Sequence, residues 1–292
     1  MRGWWQDLTD LVLPAECGGC GAPRTVLCPR CRAALGGAVP RRVRPVPEPP
    51  GLPVVHAAAP YADEVRTLLL AHKERGALAL AGALGSALAG AVRSGLAVGA
   101  AGRRGSGPVV LVPVPSARWA VRARGHDPVR RMALAAAGEL RRTGTPAWVA
   151  AVLRQRRPVA DQAGLDARQR RENVAGALEV TAGGARLLDG GRVVLVDDLI
   201  TTGASLAEAA RAVRETVGTH RDGRGEWRNG GARTVYAGAT REGRGEQQTE
   251  SRSGTGNWVH RAPEKAASNV GEVALHAAVV AAHSVSFGIN RN

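Results

Sequence analysis

Residues 193–196, Val-Val-Leu-Val, form an unbroken apolar run. Its length and β-branching predict a strand covered on both faces, the way a parallel-sheet strand is written in sequence. Asp197 and Asp198 end it, and after a turn rich in hydroxyls the period changes. Leu206, Ala209, Ala210, Val213 and Val217 recur at helical spacing, which predicts a helix stopping near Gly218. A second apolar run at 109–112 predicts another buried strand, stopped at Pro113-Val114-Pro115-Ser116 because proline cannot donate to a ladder. Asp127 and Pro128 then read as N-cap and first residue of a helix buried along Val129, Met132, Ala133, Ala136 and Leu140.

The remaining pattern is less regular. Asp63 is the expected N-cap of a helix with Val65, Leu68 and Leu69 on one face, ended by Gly76, and 77–98 predicts a second helix of small residues followed by a flexible loop at 99–107. Residues 148–153 are a third strand candidate. The polar stretch 154–174 predicts a loop or hairpin that stays mobile until it meets an anionic ligand. Residues 234–239 and 273–282 are further strand candidates, either of which could extend the sheet beyond 193–196; most of 219–269 is rich in Gly, Arg, Glu, Ser and Thr and predicts disorder. Near the N-terminus Trp4, Trp5, Leu8, Leu11 and Val12 fall on one helical face, suited to docking against the domain that follows. The expected organisation is an N-terminal helix and knuckle (1–37), a linker (38–53), an α/β domain (54–218), a low-complexity insertion (219–270) and a closing strand with its tail (271–292).

Composition changes this picture in three places. Apolar content is 44% with only 3% aromatics, so the core must be built from Ala, Val and Leu. A net charge of +15 would ordinarily indicate a polyanionic partner, but the abundance of Ala, Gly and Arg looks like compositional bias and weakens that argument. The N-terminus carries Asp7 and Asp10 where a secretory signal needs an apolar run, and the apolar stretch 77–92 is too short for a membrane span. A soluble, cytoplasmic protein without a membrane span is the expectation.

All four cysteines lie in two Cys-x-x-Cys pairs, Cys17/Cys20 and Cys28/Cys31, seven residues apart. Such pairs can bring four thiolates to a tetrahedral metal, and a closed structural Zn²⁺ knuckle is the favoured reading. An iron–sulfur cluster also takes four thiolates and stays open on spacing alone. A redox role would require a thioredoxin-like strand-to-helix turn, which the context lacks. The linker holds six of the seventeen prolines together with Arg41, Arg42 and Arg44, and predicts an extended, semi-rigid segment.

The turn after Asp197 and Asp198 reads Thr201-Thr202-Gly203-Ala204-Ser205. The unpaired N–H groups of a helix start can cradle a phosphate, the hydroxyls add donors, and Gly203 allows close approach. A phosphate does not sit beside carboxylates, so the two acids must face a different group, and a ribose diol is one they accept hydrogen bonds from. The plainer reading, a buried strand with surface acids and a capped helix, explains the helix start but not the paired acids. The stretch resembles the phosphoribosyl-pyrophosphate (PRPP) motif of type I phosphoribosyltransferases.

A wider set of residues resembles the ComF family, competence-associated proteins of phosphoribosyltransferase fold. The set runs, in order, through the four-Cys knuckle, Lys73-x-Arg75-Gly76, the strand ending Val112-Pro-Val-Pro115, Arg124-Gly125, Arg168-x-x-Arg171-x-Asn173-Val174 and the PRPP-like motif. After Arg-Gly, His126-Asp127-Pro128 stands where the family usually has an aromatic and Asn-Gln. The resemblance implies a Rossmann-like α/β type I phosphoribosyltransferase domain with a mostly parallel sheet, binding PRPP with Mg²⁺ on its pyrophosphate. It also implies a role in DNA uptake, with single-stranded DNA and uptake proteins as partners. By position, Asp197 and Asp198 would hold the ribose, residues 201–205 (Thr201, Thr202, Gly203, Ala204, Ser205) the 5′-phosphate, and Ser116 and Arg118 the pyrophosphate, while Arg168 and Arg171 would arrive on the mobile segment as catalytic groups. Purine-type members carry an acid where Thr201 stands, which disfavours a 6-oxopurine acceptor. Two functions follow as expectations: a transferase with an unknown acceptor, or a non-catalytic single-stranded-DNA-binding factor that uses the pocket as sensor or scaffold.

Overall fold

The computed structural model describes residues 16–99, 107–160, 164–189, 191–229, 275–283 and 286. The chain divides into two units, Met1–His220 with Val273–Asn292, and Arg221–Glu272. The first holds a six-stranded sheet in the order β1-β2-β8-β7-β3-β4. Its strands are β1 (Arg41–Val43), β2 (Val54–Pro60), β3 (Val109–Pro113), β4 (Ala147–Val149), β7 (Arg192–Ile200) and β8 (His276–Ala282). Every pairing is parallel except β1 with β2.

Helices cover both faces, as a parallel sheet requires. Along β7, Val194 and Val196 join one apolar cluster and Val193 and Leu195 the other; β3 alternates likewise, with Val109 and Leu111 opposite Val110 and Val112. The first cluster contains residues of α1 (Pro29–Gly36), α2 (Asp63–Glu74), α3 (Ala81–Gly99) and α5 (Pro128–Arg142). The second is built on α8 (Ala204–Asn229). Leu78–Ala97 is long and apolar enough to cross a membrane by length and composition, but Leu84, Leu88, Ala91 and Val92 are spent inside the first cluster.

The buried runs at 109–112 and 193–196 are strands as the period predicts, and the acids do not end β7, which continues to Ile200 alongside β8. The closing strand is β8 at His276–Ala282, inserted between β2 and β7. The candidate at 234–239, most of the insertion, the loop at 100–106 and the N-terminal helix at 4–13 lie outside the described residues. Asp127 caps α5 as expected, accepting from the Arg130 N–H at 3.1 Å, and the stripe from Val129 to Leu140 is buried.

Several boundaries differ from the pattern. The cap of α2 is Ala62, with Asp63 as an acid in the first turn, favourable to the helix dipole. The single strand expected at 148–153 is two, β4 and β5 (Leu153–Gln155), because the chain leaves the main sheet to pair antiparallel with β6 (Leu178–Val180). Between them the polar stretch forms α6 (Ala167–Val174), nucleated by a capping box in which Asp166 and Gln169 each bond the other's backbone N–H. Helix α8 runs past Gly218 to Asn229, since one glycine lowers helix propensity without breaking a helix already packed on the sheet. The linker is partly structured as well: Arg41–Val43 is the edge strand β1, and Arg214 donates to the Gly51 carbonyl at 2.7 Å.

The β5–β6 hairpin is fastened to α8 by one side-chain pair. Buried Glu208 accepts from the Leu178 N–H at 3.0 Å, and Arg211, held by Glu208, donates to the Leu178 carbonyl at 2.9 Å. Glu208→Ala leaves that N–H buried without a partner, so a stability loss of about 2 kcal/mol is expected. Hydrogen exchange should show faster opening at 153–155 and 178–180; unchanged protection there would contradict the fastening role.

Candidate functional site

Two clusters of chemistry-bearing residues emerge. In the knuckle, the sulfurs of Cys17, Cys20, Cys28 and Cys31 all lie within 4.8 Å of one another and none is in a disulfide. The Cys28 N–H donates to Cys17 Sγ at 3.3 Å and the Cys31 N–H to Cys28 Sγ at 3.5 Å. Burial opposes ionisation of Cys17, but the N–H groups of Cys28, Cys20 and Gly19 outweigh it and bring its pKa down to about 6; burial pushes the Cys31 thiol up. A Cβ on Gly19 would lie 2.7 Å from Cys31 Sγ, so glycine is what lets the first turn close on the second pair. The arrangement can bind a metal such as zinc, as the spacing predicts. Leu27 and Leu35 pack with Leu68, Leu80 and Leu84 in the first cluster, and Arg30 of α1 pairs with Glu64 in the first turn of α2. The knuckle is therefore built onto α2.

The second cluster lies at the carboxyl ends of the central strands. From β3 the chain passes through α4 (Arg118–Arg124) and α5 to β4 on one side; from β7 it passes through α8 to β8 on the other. Connections leaving neighbouring parallel strands in opposite directions open a crevice between them, and in open α/β sheets ligands bind there. The β3–β7 pairing ends at Pro113↔Val196, whereas β7 stays paired with β8 as far as Ile200↔Ala282. Asp197 and Asp198 are the first two residues of β7 beyond β3, so they stand at the mouth of that crevice.

The two acids are not equivalent. Asp198 is buried and receives Lys73 Nζ at 2.9 Å from the last turn of α2. Burial works against its charge, but the Lys73 ammonium prevails and holds the Asp198 carboxyl below its ordinary range; the same pairing raises Lys73. Asp197 is half-buried and accepts the Asp198 N–H at 2.8 Å. Its pKa is raised well above the usual carboxylate value, first by burial and then by the neighbouring charge of Asp198.

After the acids, Thr201 is exposed and Thr202 and Ser205 half-buried, with Gly203 and Ala204 buried. Gly203 has φ +74°, in the left-handed region, and its Cα faces Leu52 and Pro45 of the linker, which would stand 3.2–3.3 Å from any Cβ. Helix α8 starts at Ala204, so its first N–H groups are free of helical partners at this turn. Ser116 and Arg118 follow the carboxyl end of β3 on the opposite bank, Ser116 half-buried and Arg118 donating to the Gln155 carbonyl at 3.2 Å.

The arginines of α6 have separate settings. Arg168 is exposed and pairs with Glu172 at 2.8 Å. Arg171 lines a cavity of about 690 Å³ between α6, α8 and Pro49–Gly51 that reaches Ala204 of the turn but neither aspartate. The structure thus brings the acids, the hydroxyl turn and the β3 exit to one crevice, with Arg171 on a cavity that reaches Ala204 of the turn and Arg168 exposed and paired with Glu172. In the linker, Arg41 and Arg42 are exposed on β1, and Arg44 pairs with Glu48 at 3.2 Å.

Lys73 has a role that spacing did not reveal. It belongs to the Lys-x-Arg-Gly element, yet its contact with Asp198 spans 125 residues of sequence and no local pattern announces it. The same turn pins the loop after α4. Arg124 makes two bonds to Glu74, at 3.0 and 2.7 Å, and His126 Nε2 lies 3.3 Å from the His72 carbonyl. Buried His72 faces a backbone carbonyl at each ring nitrogen, those of Ala77 and Pro128. Compared with known proteins, the chain matches no family model, and no curated sequence is similar enough to count as a relative.

Proposed function

We propose that the crevice between β3 and β7 binds PRPP or a related ribose 5-phosphate compound, and that the chain is a phosphoribosyltransferase-like protein of the ComF type with a part in DNA uptake. The observation that carries the reading is the position of Asp197-Asp198 and the Thr-Thr-Gly-x-Ser turn together at the carboxyl end of β7, across a topological switch point from Ser116 and Arg118. The ComF-type reading draws further support from the meeting of three separated sequence elements, joined through Lys73–Asp198 and Glu74–Arg124.

In this reading the two carboxylates accept the ribose hydroxyls and fix the sugar, and the N–H groups at the start of α8, with Thr202 and Ser205, hold the 5′-phosphate. Ser116 and Arg118 sit where the pyrophosphate would leave C1. Mg²⁺ bound to the pyrophosphate supplies charge neutralisation at that group. A movement of α6 and its hairpin toward the crevice would bring Arg168 and Arg171 onto the ligand and exclude water from C1. Thr201 has no carboxylate to offer an acceptor ring, which disfavours 6-oxopurines.

Isothermal titration of the full chain with PRPP and Mg²⁺ tests this. Saturable binding is expected, weakened about 100-fold or more by Asp197→Ala/Asp198→Ala, which removes two charge-assisted acceptors. Absence of binding, or equal affinity in the double variant, rejects the proposal.

A further inference from the structure

We propose that Lys73 is a ligand-contacting residue of this crevice, holding Asp198 with one of its N–H donors while its other two bind the pyrophosphate group of the ligand. The inference rests on the phosphoribosyl reading above and assigns that reading a cation it did not contain.

The topology makes the contact. Helix α2 follows β2, two strands away from β7, and its last turn carries Lys73 past the carboxyl end of β8 to Asp198. An ammonium has three donors and no acceptor. Among the described residues Asp198 is its hydrogen-bond partner, through Oδ2 at 2.9 Å, and the side chain keeps 36% of its exposure. The two donors that do not face Asp198 are therefore within reach of solvent or of a ligand. Donors left open beside a phosphoribosyl cradle have a use if an anionic oxygen completes them.

The choice of residue points the same way. Of the 40 lysines and arginines only Lys73 and Lys265 are lysines; at every other basic position the chain uses arginine. A guanidinium would engage both oxygens of a carboxylate in a fork and occupy the acceptors that a ribose diol needs. The ammonium is a point charge that takes one oxygen of Asp198 and leaves the other. Of the neighbouring cations, Arg124 is already committed to Glu74 through two bonds.

The test compares PRPP with ribose 5-phosphate, which lacks the pyrophosphate, by titration of wild type, Lys73→Met, Asp198→Asn and the double variant. Melting curves establish that each is folded, and the double variant, which removes both charges, leaves no unpaired ion. Lys73→Met should weaken PRPP binding about 10–100-fold and ribose 5-phosphate binding less than about 3-fold. The PRPP loss should persist in the Asp198→Asn background, where the carboxylate that Lys73 holds by a hydrogen bond is gone. Equal losses for the two ligands, or no effect of Lys73→Met in that background, would make Lys73 a support for Asp198 and overturn the assignment. Wild type that binds ribose 5-phosphate as tightly as PRPP overturns the Lys73 assignment while sparing the sugar-phosphate reading; wild type that binds neither removes both.

Discussion

If the knuckle holds a structural metal, Cys20→Ser is expected to release it and to lower the melting temperature by about 10 °C or more, at roughly 2–4 °C per kcal/mol for a domain of this size. Cys20 is the exposed member of the four, so its replacement removes one ligand without opening a cavity. If the cysteines hold no metal the change should be nearly silent, as surface substitutions are, within about 0.5 kcal/mol. A structural zinc contributes about 10–16 kcal/mol to the folding of small metal-dependent peptides; here the knuckle also shares apolar contacts with Leu68 and Leu80, so part of its order survives without the ion. Because Arg30 is tied to Glu64 on α2, the damage should extend to that helix. Calorimetry of wild type, chelator-treated wild type and Cys20→Ser, with metal analysis of each, decides the matter. Coincident melting curves would count against a structural metal, and iron with labile sulfide would identify a cluster in place of zinc.

Asp197→Asn should do two opposite things: weaken binding of a phosphoribosyl ligand and stabilise the empty protein. The second effect follows from the sign of the pKa shift. A carboxyl whose folded-state pKa is raised by burial and by the charge of Asp198 binds its proton more tightly folded than unfolded. It therefore costs nothing below the ordinary carboxylate range, and its penalty grows as pH rises through that range toward the raised value. Asp198 has the reverse sign: held down by Lys73, it stabilises above the ordinary range and loses that contribution as pH falls. The gain from Asp197→Asn should thus be largest at neutral pH, about 2–4 °C if near 1 kcal/mol, and vanish below about pH 3, where Asp197 is protonated in both states. A variant less stable than wild type at neutral pH, or a gain independent of pH, would contradict this account.

Much of the scaffold was legible because it rests on local periodicity. Residues 109–112 and 193–196 have the length and β-branching of strands covered on both faces, and the Asp127-Pro128 start of α5 is a local hydrogen bond with a fixed φ. The cysteine spacing was legible for the same reason: each pair makes one turn and each turn one edge of a metal site. Boundaries were harder. The capping box at Asp166/Gln169 is present in the letters but masked by the polarity of its surroundings, and α8 passes Gly218 because one glycine costs little once a helix is packed.

By itself, then, the sequence determined the strand–acids–turn–helix unit at 192–206 and the four-thiolate knuckle, since both consist of residues close in the chain whose chemistry depends on spacing. Only the tertiary structure decided that β8 lies between β2 and β7 and that the crevice opens between β3 and β7. It alone decided that Lys73 answers Asp198 across 125 residues and that Arg171 lines a cavity with Ala204 of the turn. Strand order and ion pairing of this kind follow from how the two apolar faces of the sheet are covered, a property of the whole packed chain that no local window contains.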